Sequence, residues 1–235
     1  MPDNKIAAIT GAYKGLGAAL SRGFAERGYS LVLGGREERA LEMFEYEMKK
    51  ATNASAVIMD VRKKADCETL VNTAVEKFGR LDVLVNNAGV WKMAGIEEIT
   101  EQEITDMFET NLFGPIYCSQ AAVTAMKRQG SGHILNIGST SAVSYNAGHI
   151  AYGASKAALV SFTGCMREEL KGTGIRVSVF SPGGMKTDLF RAKPDRVKDD
   201  FMDTSFVAGK IMEHIETPTE EWHVILRRPG GYSGK

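Results

Sequence analysis

The sequence predicts an α/β protein with a doubly wound parallel sheet and helices on both faces. Two observations support this prediction. Short apolar runs alternate with longer segments of helical periodicity over roughly the first 140 residues, which is typical of repeated β-α-β units. In addition, a glycine-rich turn directly follows the first apolar run, and parallel sheets that bind dinucleotides carry such a turn between their first strand and first helix.

The apolar pattern predicts each element in turn. The predicted strands are Ile6–Ile9, Leu31–Leu33, Ala56–Met59, Val83–Val85, His133–Ile137, Val177–Phe180 and His223–Leu226. Apolar residues at four-residue steps predict a first helix from Leu16 through Phe24 that stops at Gly28. Further helices are predicted at Leu41–Met48, Thr69–Val75, near Ala151–Leu170 and near Val207–Ile215. The result is a Rossmann-like sheet of about seven strands.

One domain is expected to span residues 1–235, since the 235-residue, 25.6 kDa chain contains no evident linker or repeat. The segment Gly183–Met202 breaks the pattern with mixed glycine, proline and charged residues. We interpret it as part of a substrate lid at about 184–205, with Phe190 and Phe201 as apolar contacts. A solvated surface loop is the alternative.

Composition excludes several functional classes. The 29 basic and 29 acidic residues balance, so no overall excess of positive charge is present to attract nucleic acid. The apolar run Ile6–Ile9 is too short for a signal peptide, and no 18-residue apolar span occurs. The three cysteines and four histidines lack disulfide-framework or zinc-site spacing. We therefore expect a cytoplasmic protein without a catalytic metal or a membrane partner.

The turn after the first strand has the features of a phosphate-binding loop. Glycines at Gly11, Gly15 and Gly17 let the backbone approach a pyrophosphate, whose charge the helix amino terminus stabilises. The cofactor-binding residues predicted in this loop are Gly11, Tyr13, Lys14, Gly15, Leu16 and Gly17. The alternative is an ordinary turn that needs glycine for positive φ.

The end of the second strand indicates NADP(H). Gly34 and Gly35 stand where NAD-preferring folds usually place an acidic residue for the ribose hydroxyls. Arg36 can instead form bidentate contacts with a 2′-phosphate, and Lys14 supplies a second cation. Asp60 and Val61 are predicted beside the adenine, with a plain strand-end turn as the alternative.

A tyrosine and a lysine one helical turn apart indicate proton transfer. Tyr152 and Lys156 share a helix face, and Ser139 stands thirteen positions before the tyrosine, after a strand. A phenol of pKa about 10 needs a cation nearby to exchange protons near neutrality. A lysine about 4 Å away at an effective dielectric of about 20 would lower that pKa to about 7. Tyr46 and Lys50 have the same spacing, but no such serine precedes them.

The chain resembles the short-chain dehydrogenase/reductase family over nearly its whole length. The matching landmarks, in order, are Thr10–Gly17, Asn86-Asn87-Ala88-Gly89, Asn111, Ser139, Tyr152, Lys156, Pro182-Gly183 and Thr187. Ser141 is a second candidate for the serine, although the thirteen-residue spacing favours Ser139. The carboxyl-terminal sequence lacks the closing pattern of many 3-oxoacyl-carrier-protein reductases, which argues against a role in fatty-acid synthesis.

The resemblance implies a role for each landmark. Tyr152 would be the proton donor, Ser139 would bind the substrate oxygen, and Lys156 would lower the tyrosine pKa and hold the nicotinamide ribose. Asn111 would hold a water that links Lys156 to solvent. The remaining cofactor contacts would come from Asn87, Ala88, Gly89, Pro182, Gly183 and Thr187. The family also implies a homodimer or homotetramer, with the helices that carry Asn111 and Tyr152 at the interface.

The resulting expectation is an NADPH-dependent reductase of ketones or aldehydes. Apolar substrate walls are expected from Trp91 and Met93, from Val143–Tyr145, and from Met185 and Phe190. The alternatives are an NAD-linked alcohol dehydrogenase and a non-catalytic protein that senses dinucleotides and regulates a partner.

Overall fold

A seven-stranded parallel sheet forms the centre of the structure, a computed structural model that describes residues 5–187, 189, 200–217 and 219–228. The strands are β1 (Ile6–Thr10), β2 (Ser30–Gly35), β3 (Ala54–Ile58), β4 (Val83–Asn86), β5 (Gly132–Ile137), β6 (Ile175–Pro182) and β7 (His223–Leu226). Their spatial order is β3-β2-β1-β4-β5-β6-β7. All seven predicted strands are confirmed, with shifts of up to a few residues at their ends.

Helices cover both faces of this sheet, as predicted. They are α1 (Gly15–Glu26), α2 (Glu38–Met48), α3 (Lys64–Phe78), α4 (Glu101–Phe108), α5 (Gly114–Gln129), α6 (Ile150–Glu169) and α7 (Thr204–Glu216). The sheet residues alternate between two cores. Ala7 and Ile9 pack with α1, α2 and α7, whereas Ile6 and Ala8 pack with α3, α5 and α6.

The strand order reverses at β1, which pairs with β2 on one side and β4 on the other. Ile9 lies opposite Leu33 and Val85 in these two ladders. Parallel sheets of this topology open a crevice at the carboxyl ends of the strands beside such a reversal. The fold therefore provides a ligand crevice between the loop after β1 and the loop after β4.

The connection from β4 to β5 is more elaborate than the sequence pattern indicated. A capping box starts α4, in which the Thr100 hydroxyl accepts from the Glu103 amide at 3.2 Å and the Glu103 carboxylate accepts from the Thr100 amide at 3.2 Å. A π-helical segment, Glu109–Phe113, then joins α4 to α5. Such segments occur often at functional sites, and this one contains Asn111.

The predicted lid lies only partly within the described residues. Residues 188 and 190–199, including Phe190, fall outside them. The two ends of the segment meet where Met185 and Met202 form a parallel bridge. Within the described part of the chain, none of the helices combines the length and apolarity needed to cross a membrane.

Candidate active site

The structure brings Ser139, Tyr152 and Lys156 together at the carboxyl edge of the sheet. Ser139 follows the end of β5, and the other two side chains lie one turn apart near the start of α6. All three residues are buried, with 8%, 8% and 5% of their surface exposed. The Ser139 side chain lies close enough to the Tyr152 phenol to act on its pKa.

Two neighbouring serines have different partners, which separates the two candidates. The Ser139 hydroxyl accepts from the Ser141 amide at 3.1 Å and contacts the phenol. The Ser141 hydroxyl instead lies 3.2 Å from Nδ1 of His149. The geometry thus places Ser139 beside Tyr152, as the thirteen-residue spacing predicts.

Burial dominates the protonation of the tyrosine–lysine pair. Burial raises the pKa of Tyr152, and the smaller influence of Ser139 lowers it. Burial also lowers the pKa of Lys156 to about 8. The Lys156 ammonium donates to the Ile137 carbonyl at 2.8 Å. The expected lowering of the phenol pKa toward neutrality is therefore not met in this structure, because desolvation outweighs the stabilisation of the phenolate.

Asn111 ties the π-helical segment to two parts of the site. Its Oδ1 accepts from the Val90 amide at 2.9 Å, while its Nδ2 donates to the Val90 carbonyl at 2.9 Å and to the Ser155 hydroxyl at 3.1 Å. Asn111 is fully buried. These bonds fix the segment after Gly89 against α6, a positioning role that the sequence analysis did not identify.

The glycine loop has the backbone geometry that a dinucleotide requires. Gly11 and Gly15 adopt φ values of +63° and +52°, where side chains are unfavourable. A Cβ at Gly17 would lie 2.0 Å from the Gly11 carbonyl oxygen. No side chain caps the start of α1, which leaves its terminal amides available to a phosphate. Leu16 is buried and anchors this helix in the core.

Polar bonds hold the glycine loop against the end of β4. Asn87 Nδ2 donates to the carbonyls of Thr10 and Gly11 at 2.9 and 3.1 Å. The Thr10 hydroxyl accepts from the amides of Asn87 and Ala88, each at 3.0 Å. The Asn87 side-chain amide thus stabilises the conformation of the glycine loop.

The adenosine end of the crevice contains the predicted cations and one acid that sequence reasoning missed. A cavity of about 80 Å³ there is lined by Gly11, Tyr13, Lys14, Gly35, Arg36, Met59, Asp60, Val61, Ala88, Gly89, Val90 and Thr110. Lys14 pairs with Glu37 at 2.7 Å. Asp60 pairs with Arg62 at 2.6 Å, which lowers the Asp60 pKa. The missed signal was the position of Glu37 directly after Arg36.

A second cavity, of about 370 Å³, connects the glycine loop with the catalytic side chains. Its lining includes Gly15, Asn87, Tyr152, Lys156 and Thr187. A third cavity, of about 360 Å³, lies beyond it and contains Ser139, Pro182 and Gly183. Trp91, Tyr152 and Thr187 line both of these larger cavities, so the crevice continues from the glycine loop to the catalytic groups.

The substrate walls differ in part from the prediction. Trp91 and Met185 line the third cavity, as expected. Val143 and Tyr145 do not line it and are 39% and 96% exposed, because the chain turns outward after the 3₁₀ turn Thr140–Ala142. Met93 lies against Gly148. The wall is formed instead by Asn146, Ala147, His149, Leu189, Phe201 and Arg228.

The second tyrosine–lysine pair of the same spacing, Tyr46 and Lys50, lies at the protein surface. Tyr46 is 68% exposed on α2, and the Lys50 ammonium lies over its ring at 4.8 Å from the centroid. The same sequence spacing therefore produces an exposed cation–π contact here and a buried pair at Tyr152.

Comparison with known proteins identifies the family. Residues 5–198 match the family model described as short chain dehydrogenase. The chain belongs to the short-chain dehydrogenase family. It is therefore an oxidoreductase that acts on CH–OH/C=O groups, with a crevice of the kind that holds a nicotinamide dinucleotide. Such a cofactor fits the uncapped helix start and the positive-φ glycines described above.

Curated relatives include two from staphylococci. An oxidoreductase of Staphylococcus saprophyticus is 38% identical over 190 residues, covering 79% of this chain and 80% of that protein. A 3-oxoacyl-(acyl-carrier-protein) reductase of Staphylococcus epidermidis is 34% identical over 202 residues, covering 85% and 83%.

Solved structures with the same fold hold either cofactor. A closed serine dehydrogenase with NADP⁺ has a TM-score of 0.87 and 26% identity, over 98% of both chains. ElxO with NADP has a TM-score of 0.85 and 28% identity, over 97% of this chain and 98% of that one. A Burkholderia phymatum short chain dehydrogenase/reductase with NAD has a TM-score of 0.88 and 25% identity, over 95% and 89%.

Proposed function

We propose that this protein is an NADPH-dependent carbonyl reductase that converts a ketone or aldehyde to an alcohol. The observation that carries the proposal is the meeting of buried Ser139, Tyr152 and Lys156 in a crevice that continues to the glycine loop. The whole chain would act as one catalytic domain, with a lid at about 184–205.

The cofactor would lie along the three cavities, the first of which shares Gly11, Lys14 and Arg36 with the second. Gly11, Tyr13, Lys14, Gly15, Leu16 and Gly17 would surround its phosphates, with the amino terminus of α1 stabilising their charge. Asp60 and Val61 would flank the adenine. Asn87, Ala88, Gly89, Pro182, Gly183 and Thr187 would border the nicotinamide half. The bound cofactor supplies the hydride.

NADP(H) is the proposed cofactor because cations dominate where a 2′-phosphate would lie. Lys14 and Arg36 line the same cavity. Arg36 forms no ion pair with any described residue. Gly34 and Gly35 contribute no acid at the end of β2. An arginine fork matches a phosphate better than it matches ribose hydroxyls.

The catalytic side chains would handle the proton. Ser139 would donate to the substrate oxygen and stabilise its developing negative charge. Tyr152 would transfer its phenolic proton to that oxygen, and its raised pKa keeps the proton in place at neutral pH. Lys156 would bind the nicotinamide ribose and take part in the proton relay. Asn111 would hold the water that links Lys156 to solvent.

The substrate would have both apolar and polar surface. Trp91, Met185, Leu189 and Phe201 supply apolar walls, whereas Ser141, Asn146 and His149 add hydrogen-bonding groups beside Ser139. A medium-sized ketone or aldehyde fits a cavity of about 360 Å³.

A second copy of the chain would cover α5 and α6. A groove of about 570 Å³ along these helices is lined in part by the half-buried side chains of Ile116, Val123 and Phe162. Burial of this apolar groove would favour a homodimer or homotetramer. Light scattering after size-exclusion chromatography measures the number of subunits, and a monomer at all concentrations would refute this assignment.

The test of function is NADPH oxidation against ketones, aldehydes and a 3-oxoacyl thioester. The thioester is included because a relative 34% identical is named as its reductase. Tyr152→Phe should abolish turnover while NADPH still binds. Tyr46→Phe is the matched control, because it removes a phenol with the same i, i+4 lysine from an exposed helix.

The outcomes separate the alternatives. Turnover with NADH and alcohols, without NADPH activity, would support an NAD-linked alcohol dehydrogenase. Saturable dinucleotide binding without turnover of any substrate would favour a regulatory sensor. Equal activity of the Tyr152→Phe protein would refute the proton-donor assignment.

A further inference from the structure

A polar cluster lies at the adenosine end of the crevice. It consists of Tyr13, Lys14, Arg36 and Glu37. The Glu37 carboxylate accepts from the Lys14 ammonium at 2.7 Å, and the neighbouring Tyr13 side chain helps to lower the pKa of that carboxyl. The ammonium also lies 5.2 Å from the centre of the Tyr13 ring. One acid thus occupies one of the two cations available to a phosphate.

Tyr13 also determines what the neighbouring strand end can carry. A Cβ at Gly35 would lie 2.4 Å from Cε1 of the Tyr13 ring. The ring therefore fills the space that a side chain at the end of β2 would need. The nearest acid to this point along the chain is Glu37, two residues later at the start of α2.

The Lys14–Glu37 ion pair would compete with a 2′-phosphate for the Lys14 ammonium. A 2′-phosphate that approaches Lys14 and Arg36 would meet the Glu37 carboxylate, which lies within hydrogen-bond distance of the same ammonium. The two anions cannot both pair fully with Lys14 without repelling each other. A ribose that lacks the phosphate leaves the contact undisturbed.

We propose that Glu37 limits the preference for phosphorylated over unphosphorylated dinucleotides, because it competes with the 2′-phosphate for Lys14. Glu37 thus weakens NADP(H) binding without contributing to NAD(H) binding. This inference rests on the proposed preference for NADP(H).

The Lys14–Glu37 ion pair is exposed to solvent, which limits its effect on cofactor binding. The Lys14 and Glu37 side chains are 52% and 61% exposed. Exposed ion pairs change an equilibrium constant by a factor of up to about five. Glu37→Gln should therefore tighten NADPH binding about twofold to fivefold at low ionic strength and change NADH binding less than about twofold. The gain should shrink at about 0.5 M salt, because salt screens exposed charges.

The experiment measures dissociation constants of NADPH and NADH by fluorescence titration of the full-length protein. Glu38→Gln is the matched control, because Glu38 is an exposed acid in the first turn of α2 that forms no ion pair with the described residues. Its removal reports the effect of net charge alone. A Lys14→Gln background should abolish the Glu37→Gln gain.

The results distinguish this inference from the proposed cofactor preference. If NADPH binds better than NADH but Glu37→Gln has no larger effect than Glu38→Gln, the inference is wrong and the preference stands. If the unmodified protein prefers NADH and Glu37→Gln weakens NADH binding, Glu37 binds the ribose and both statements are wrong.

Discussion

A buried histidine far from the active site should make the protein sensitive to mild acid. His133 lies in β5 with 4% of its surface exposed, and its Nε2 lies 2.7 Å from the Ser178 hydroxyl. Burial lowers its pKa to about 3, with smaller contributions from Arg176 and His214. The folded protein therefore holds this ring neutral over the physiological range.

The size of the effect follows from the two protonation equilibria. An unfolded chain protonates histidine at a pKa of about 6.5, and each pKa unit corresponds to about 1.4 kcal/mol. Between pH 6.5 and about 3 the unfolded state binds more protons at His133 than the folded state does. Stability therefore falls as the pH decreases through this window, and His133 alone should account for about 2 kcal/mol of loss between pH 7 and pH 5.

Urea unfolding at pH 7 and pH 5, at constant ionic strength, measures this loss. The His133→Gln variant should lose about 2 kcal/mol less than the unmodified protein over that interval. Ser178→Ala is the control, since it removes the hydrogen-bond partner but leaves the imidazole and its acid sensitivity. If His133→Gln and the unmodified protein lose equal stability, the argument from burial is wrong.

Three further predictions concern the crevice and a helix. Gly17→Ala should abolish NADPH binding in titrations, because its Cβ would lie 2.0 Å from a backbone oxygen. Gly209→Ala is the control, since this glycine of α7 has open space around it. It should leave binding intact and add about 0.5–1 kcal/mol to the free energy of unfolding. Asn111→Ala should lower that free energy by about 1–3 kcal/mol in urea unfolding, because the partly buried Val90 amide and carbonyl lose their partner. NADPH affinity should fall as the pH rises through about 8, where Lys156 loses its charge, and Lys156→Met should remove that dependence.

The sequence predicted the strands well because they are buried on both faces. Ile6–Thr10 and Ser30–Gly35 are buried along their whole length, so they appear as uninterrupted apolar or small-residue runs. The connection between β4 and β5 was harder to predict. Its π-helical turn depends on tertiary bonds from Asn111 to Val90 and Ser155, which no local pattern reveals.

The candidate site was predictable where function requires a fixed spacing along one element. Tyr152 and Lys156 lie on one helix, so their spacing determines their shared face. Partners from different elements were not predictable in this way. The Lys14–Glu37 pair joins the glycine loop to the start of α2. The prediction of Val143–Tyr145 as a substrate wall was wrong, because the sequence does not show where the chain turns outward after Thr140–Ala142.

Burial determines the protonation of the Tyr152–Lys156 pair at neutral pH. A raised pKa keeps the Tyr152 phenol protonated, and a Lys156 pKa of about 8 leaves most of the lysine charged at pH 7. A protonated phenol is the form that can neutralise an alkoxide, whereas alcohol oxidation needs the phenolate to accept a proton. The desolvation that opposes the expected pKa lowering therefore keeps the Tyr152 phenol in the form that can donate a proton.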